Sequence, residues 1–228
     1  MPQDLSTRLG RLRAWLSMHL VDHGFVRAVY NNFHDLDGGM YRLSQPSPAQ
    51  IRAYHRELGI KTIVNLRGDH GYGSYAMEVE TCRELGIALV DHRMYSRQPP
   101  TVQVLDQTKA LFDSIAYPAL LHCKSGADRA GLGSVLYRHF RLGVPIADAA
   151  RELNWRYGHF NFGKTAVLDY FFQRYLDESG SPTAPHPMPF MDWVHTRYDK
   201  EALHADFHRL RRENGIGDWF LDKVLHRE

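Results

Sequence analysis

Three short apolar segments, KTIVNLR (61–67), IALVDHRM (87–94) and PALLHC (118–123), alternate along the chain with segments of helical pattern. PAQIRAYHRELG (48–59) is opened by Ser47 and Pro48 and closed by Gly59, and YAMEVETCRELG (75–86) ends on Gly86. TVQVLDQTKALFDSI (101–115) is the third such segment, and MYRLS (40–44) supplies an earlier strand. Strands and helices in strict alternation fold through right-handed crossovers into a parallel sheet covered by helices. The expected class is therefore α/β, a central, mostly parallel sheet flanked by helices, with extra N- and C-terminal helices.

Beyond residue 130 the strand pattern stops. AGLGSVLYRHFRLG (130–143), PIADAARELNW (145–155) and KTAVLDYFFQRYLDE (164–178) read as helices. SGSPTAPHPMP (179–189) holds four of the chain's 11 prolines and reads as a linker or covering loop. Residues 190–228, with Trp193 and Trp219, are too few for a core of their own, so two helices packed on the main domain are expected. At the other end, Leu5, Leu9, Leu12, Leu16 and Leu20 recur at helical spacing among Arg8, Arg11 and Arg13, which predicts a helix over 5–30. Its leucine stripe is expected to pack on the domain; a weak membrane-surface contact through residues 5–20 is the alternative. The division expected is an N-terminal amphipathic region (1–37), a catalytic domain (38–178) and a C-terminal extension (179–228).

HCKSGADR (122–129) follows an apolar strand and opens a helix. A loop in that position turns consecutive backbone N–H groups inward as an anion nest, and the helix dipole adds partial positive charge. Gly126 permits a close approach or backbone conformation that a side chain would block. Arg129 offers a planar fork for two phosphate oxygens. The same field favours a thiolate over a thiol, since helix N-termini and neighbouring cations activate cysteines. Cys123 is thus a candidate nucleophile.

On these residues the chain resembles the cysteine-based protein tyrosine and dual-specificity phosphatases, whose signature is H-C-x-x-G-x-x-R. The resemblance spans roughly residues 38–143 and includes the order of strands and helices. It implies that Cys123 attacks phosphorus to form a phosphocysteine that water hydrolyses, without a metal or other cofactor. It also implies that Lys124, Ser125, Gly126, Ala127, Asp128 and Arg129 bind the phosphoryl oxygens and that Arg129 stabilises the transition state. One departure stands out. A Ser or Thr usually follows the arginine in this family and helps the thiolate leave, whereas here Ala130 follows, which implies a slower second step.

The leaving oxygen needs a proton. Asp128, immediately before the arginine, matches branches of the family in which an aspartate at that position is thought to be the acid. Asp91, 32 residues before Cys123, fits the spacing of the classical family, and Asp69 in LRGDHGYG (66–73) is a third candidate. The segment YSRQPP (95–100), where a movable acid loop would fall, contains no acid.

Other signals are weaker. Cys82, the second of two cysteines, reads as a core residue, with a protective disulfide to Cys123 as the alternative. Lys124 and Lys164 would add charge for a multiply phosphorylated substrate. His204 and His208 stand at i, i+4 without a third ligand at convincing spacing, so no metal is expected. GHFNFGKT (158–165) fits the nucleotide-loop pattern letter for letter, but a charged helical pattern precedes it rather than a buried strand, and no magnesium-binding strand follows. A net charge of +2 with no clustered basic platform argues against nucleic acid. Two cysteines, no signal-like start and no long apolar run point to the cytoplasm. Two rivals to a protein phosphatase remain at this point, a lipid or sugar headgroup phosphatase of the same chemistry and a weakly catalytic phosphate-binding module.

Overall fold

A computed structural model describes residues 5–18, 22, 31–180 and 188–213. Five strands form one sheet: β1 (His34–Asp35), β2 (Met40–Ser44), β3 (Thr62–Asn65), β4 (Ala88–Asp91) and β5 (Ala119–Cys123), in spatial order β1-β2-β5-β3-β4. Only the β1–β2 pair is antiparallel. β5 is central and buried along its whole length, which is why ALLHC reads as a continuous apolar run rather than an alternating one. Cys123 ends it, level with Ser44 on β2, while His122 pairs in register with Asn65 on β3. The carboxyl ends of parallel strands are where open α/β sheets place their ligands.

The chain divides into two compact units, residues 1–93 with 115–130, and residues 94–114 with 131–228. The first holds the sheet and three helices: α1 (Arg8–Leu16), α2 (Pro48–Leu58) and α3 (Gly73–Leu85). α2 begins with a capping box in which Ser47 accepts from the Gln50 amide and Gln50 answers to the Ser47 amide, and it ends on the left-handed Gly59. One core of this unit gathers Leu43, Ile51, Ile60, Ile63, Ile87 and Leu120 around Cys82. Cys82 is a core residue, and its burial, with Glu78 second, pushes the thiol up to about 12.

α1 departs from expectation. The described helix is Arg8–Leu16 rather than 5–30; residues 19–21 and 23–30, which the longer reading includes, lie outside the described residues. Nor do Leu9, Leu12 and Leu16 of the leucine stripe pack on the domain; Leu5 is half-buried and Leu20 lies outside the described residues. Ala14 is the helix's buried residue, and Gly73 of α3 approaches it so closely that a Cβ there would stand 2.0 Å from the Ala14 carbonyl oxygen. Arg11 forks onto both carboxylate oxygens of Glu80 at 2.8 Å. The two helices therefore meet through small residues and an ion pair, and the leucines point elsewhere.

The second unit holds α4 (Val102–Ser114), the body of α5 (Asp128–Leu142), α6 (Ile146–Ala149), α7 (Val167–Glu178), α8 (Phe190–Thr196) and α9 (Lys200–Glu213). Among the described residues no strand follows Cys123. Phe190 and Trp193 of α8 pack against Phe171 and Tyr175 of α7, so the C-terminal extension is tied to its own unit by aromatic contacts; Trp219 lies outside the described residues. The helix read over 145–155 is shorter, because α6 tightens into a 3-10 turn at Ala150–Glu152 and Asn154 then turns its side chain back to the Arg156 amide.

GHFNFGKT is a connector here. A 3-10 turn (Trp155–Tyr157) capped by its Gly158 precedes it, and its Lys164 and Thr165 open another (Lys164–Ala166). Buried His159 bonds Asp169 at 2.7 Å, and Phe160 stacks on Phe162. No strand feeds this stretch, so it lacks the architecture of a nucleotide loop.

Candidate active site

β5 delivers Cys123 to a four-residue turn, and α5 starts at Asp128. The turn is held from behind by a row of donors. The Gln45 amide reaches the Lys124 carbonyl at 3.3 Å, Asn32 Nδ2 the Ser125 carbonyl at 3.1 Å, and Arg42 Nη2 the Gly126 and Ala127 carbonyls at 2.8 and 3.1 Å. In a trans peptide the N–H points opposite to the carbonyl. Holding four successive carbonyls by donors behind the turn is the arrangement that would aim the N–H groups of residues 125–128 the other way, as an anion nest requires.

Gly126 lies at φ +72, and a Cβ there would stand 2.7 Å from the Leu43 carbonyl carbon and 2.8 Å from the Ser44 nitrogen. The loop can press against β2 only because the position lacks a side chain. Asn32 reaches the loop from its own left-handed conformation, φ 49, which asparagine tolerates better than most residues. The Arg129 guanidinium is half-buried and, among the described residues, has no hydrogen-bond or ion-pair partner in the protein. Cys123 is 2% exposed at the floor of the turn.

Behind the nucleophile runs a chain of buried polar side chains. His122 Nε2 stands 2.8 Å from Glu78 Oε1, close but not aligned as a hydrogen bond, and both side chains are fully buried. Glu78 Oε2 accepts from Gln45 Nε2 at 2.7 Å, and Gln45 Oε1 accepts from Arg67 Nη1 at 2.8 Å. Arg67 forks onto Asp22, both contacts 2.9 Å, and Ser74 donates to Asp22 at 2.7 Å. Lys124 Nζ stands 3.9 Å from the same carboxylate. Burial, followed by the Arg67 charge, holds the neighbouring His70 down at about 3, so it is neutral.

The three candidate acids are placed differently. Asp128 is buried at the first position of α5, within the loop itself. Asp91 ends β4, two strands from β5, and its two oxygens accept from Asn65 and Tyr75. Asp69 is exposed and accepts from the Gly71 amide. Asp69 also helps line a cavity of about 710 Å³ with Leu5, Arg11, Tyr72, Tyr75 and Val79, to which no residue of 123–129 contributes.

Sequence reasoning missed Asn32, Arg42, Gln45, Glu78 and Asp22. Arg42 did leave a signal, since a guanidinium within an otherwise buried strand MYRLS must have a buried acceptor. The His204 and His208 Nε2 atoms lie 3.0 Å apart, and among the described residues no group of three or more potential ligands gathers around a metal position. No described helix is long and apolar enough to cross a membrane.

The profile of the tyrosine phosphatase family matches residues 37–154. The fold is similar to that of TpbA from P. aeruginosa, with 17% identity, a TM-score of 0.52, and 78% of this chain and 91% of that chain covered. Further likenesses are to the core catalytic domain of the PP-IP phosphatase Siw14 from S. cerevisiae (22% identity, TM-score 0.46, 64% of this chain and 91% of that chain) and to human DUSP28 (14%, 0.47, 64% and 95%). None of the curated proteins matches the chain.

Proposed function

From the match over residues 37–154 the chain belongs to the tyrosine phosphatase family and is a cysteine-dependent phosphatase; on that premise we propose Cys123 as its nucleophile and a metal-independent phosphomonoester hydrolysis as its reaction. The observation that supports this most is the turn whose carbonyls are held from behind, beside an Arg129 fork that has no hydrogen-bond or ion-pair partner among the described residues. The Cys123 sulfur attacks phosphorus as the bond to the leaving oxygen breaks. Asp128 gives that oxygen its proton. Water then cleaves the S–P bond and phosphate leaves. Catalysis in such a site is mostly positioning and electrostatic stabilisation. Residues 38–178 form the proposed catalytic domain, and a thiol nucleophile suits a reducing compartment such as the cytoplasm.

For substrate we propose a single phosphate on tyrosine or on serine and threonine. The Lys124 ammonium is turned toward the buried Asp22, 3.9 Å away, a carboxylate it shares with Arg67. A lipid or sugar headgroup carrying several phosphates would call for cations not committed in this way.

One experiment tests the activity. p-Nitrophenyl phosphate hydrolysis with EDTA present is expected for the wild type and is expected to vanish in Cys123→Ser. Wild-type activity that needs added metal would overturn the reading. The fully buried Ala130, in place of the usual hydroxyl, supports a second reading of a slow module that binds phosphate more than it turns it over. A burst of one nitrophenol per enzyme followed by little further release would favour that reading.

Asp128 as the acid makes a distinct prediction. A general acid works while protonated, so an Asp128 acid should give activity on an alkyl phosphate an alkaline limb that Asp128→Asn lacks. Asp128→Asn should lose roughly 10²–10⁴-fold on that substrate and much less on p-nitrophenyl phosphate, whose leaving group needs no proton. If the alkaline limb persists in Asp128→Asn and disappears in Asp91→Asn, Asp91 is the acid.

A further inference from the structure

Among the described residues, α1 carries an exposed apolar face. Leu9, Leu12, Trp15 and Leu16 are 57%, 52%, 48% and 38% exposed. At about 100° per residue, Leu9, Leu12 and Leu16 fall within a sector of about 60°. Arg8 and Arg13 lie about 40° beyond either edge of that sector, and Trp15 sits just past Arg8. Ala14, the residue buried against α3, is nearly opposite. Arg11, beside it, is committed to Glu80. Arg8 and Arg13 are exposed, and among the described residues neither has a hydrogen-bond or ion-pair partner. α1 itself contains no acidic residue.

We propose that this face docks on an anionic lipid surface, with the three leucines entering the headgroup boundary and Arg8 and Arg13 flanking them at phosphate level. The arrangement has the parts such contact needs. An apolar sector is bounded on both sides by cations whose stems can snorkel. The opposite side is pinned to the domain by the Ala14–Gly73 approach and the Arg11–Glu80 fork, so the helix can lie in the membrane plane without leaving the protein. A nine-residue helix offers little apolar area, so attraction to anionic headgroups must supply much of the affinity and salt should weaken it. Basic rims at both edges favour lipid over a second copy of the chain, because two such faces would bring like charges together.

The test is sedimentation of the full chain with vesicles of phosphatidylcholine alone and of phosphatidylcholine mixed with phosphatidylglycerol. Binding is expected only to the mixed vesicles and should weaken as salt rises. Arg8→Gln and Arg13→Gln should each lower the partition about fivefold. Leu12→Glu with Leu16→Glu should abolish it. All these variants should hydrolyse p-nitrophenyl phosphate as the wild type does, which shows that they remain folded. Cys123→Ser should sediment like the wild type, so failure of the phosphatase reading would leave this result standing. If the wild type stays in the supernatant with mixed vesicles, or if the leucine variants still sediment, the proposal is wrong. A dimer that the leucine variants dissolve, without vesicle binding, would assign the face to a second copy instead.

Discussion

Gly126→Ala is expected to lower phosphatase activity by roughly 10³-fold, because it disturbs several oxyanion donors of one turn, each of which is worth roughly 10²–10³. Two effects combine. A left-handed alanine costs about 1–2 kcal/mol. The added methyl would also stand 2.7 Å from the Leu43 carbonyl carbon, 2.8 Å from the Ser44 nitrogen and 2.9 Å from Asn32 Nδ2. Two of those atoms belong to the backbone of β2 and cannot rotate aside, so the turn must move away from the strand. Such a shift breaks the alignment of Arg42 and Asn32 with the loop carbonyls and misaims the amides opposite them. Gly86→Ala is the control. Gly86 is also left-handed, at φ +67, but nothing lies within 4 Å of a Cβ there, so only a loss of stability of about 1 kcal/mol is expected, with full activity. The kcat on p-nitrophenyl phosphate and the urea midpoint of both variants decide the matter. Gly126→Ala within tenfold of wild type would mean that the loop is not the catalytic nest.

The loop was legible in sequence because everything that defines its outline is contiguous: an apolar strand, a glycine, an arginine and a helix start within a dozen residues. The caps of α2 were legible for the same reason, since Ser47, Pro48 and Gly59 act on their immediate neighbours. What supports the loop from behind was not. Arg42, Asn32 and Gln45 reach carbonyls far along the chain, and their partners exist only once β2 lies beside β5. Glu78 looks like one more charge on a helix until burial sets it against His122. The leucine stripe of α1 shows a different limit. Periodicity establishes that a helix has an apolar face, but not that this face meets its own domain. The contact went to Ala14 because Gly73 lets the two backbones come together.

Asp22→Ala is expected to destabilise the protein by about 3–5 kcal/mol, the usual cost of leaving a buried charge without its partner. Arg67 is only 5% exposed, and Asp22 takes both ends of its fork as well as the Ser74 hydroxyl. Removing the carboxylate leaves Arg67 with Gln45 as its remaining side-chain hydrogen-bond acceptor. Against a stability of about 5–15 kcal/mol for a typical domain, that loss is large. Replacing the pair together is a different matter. Asp22→Leu with Arg67→Met removes both charges, so it should recover much of the loss, and the urea midpoints of the two single variants and the double variant give the coupling directly. The effect should also reach the chemistry. The chain from Asp22 ends through Gln45 and Glu78 on His122, the residue before Cys123, and Asp22 also faces Lys124, the residue after it. The double variant should therefore be folded yet slower on p-nitrophenyl phosphate, with kcat reduced more than KM is raised, because Lys124 loses Asp22 and Gln45, which holds Glu78 beside His122, loses Arg67. A double variant as stable and as active as the wild type would show that the chain serves neither the fold nor the placement of Cys123.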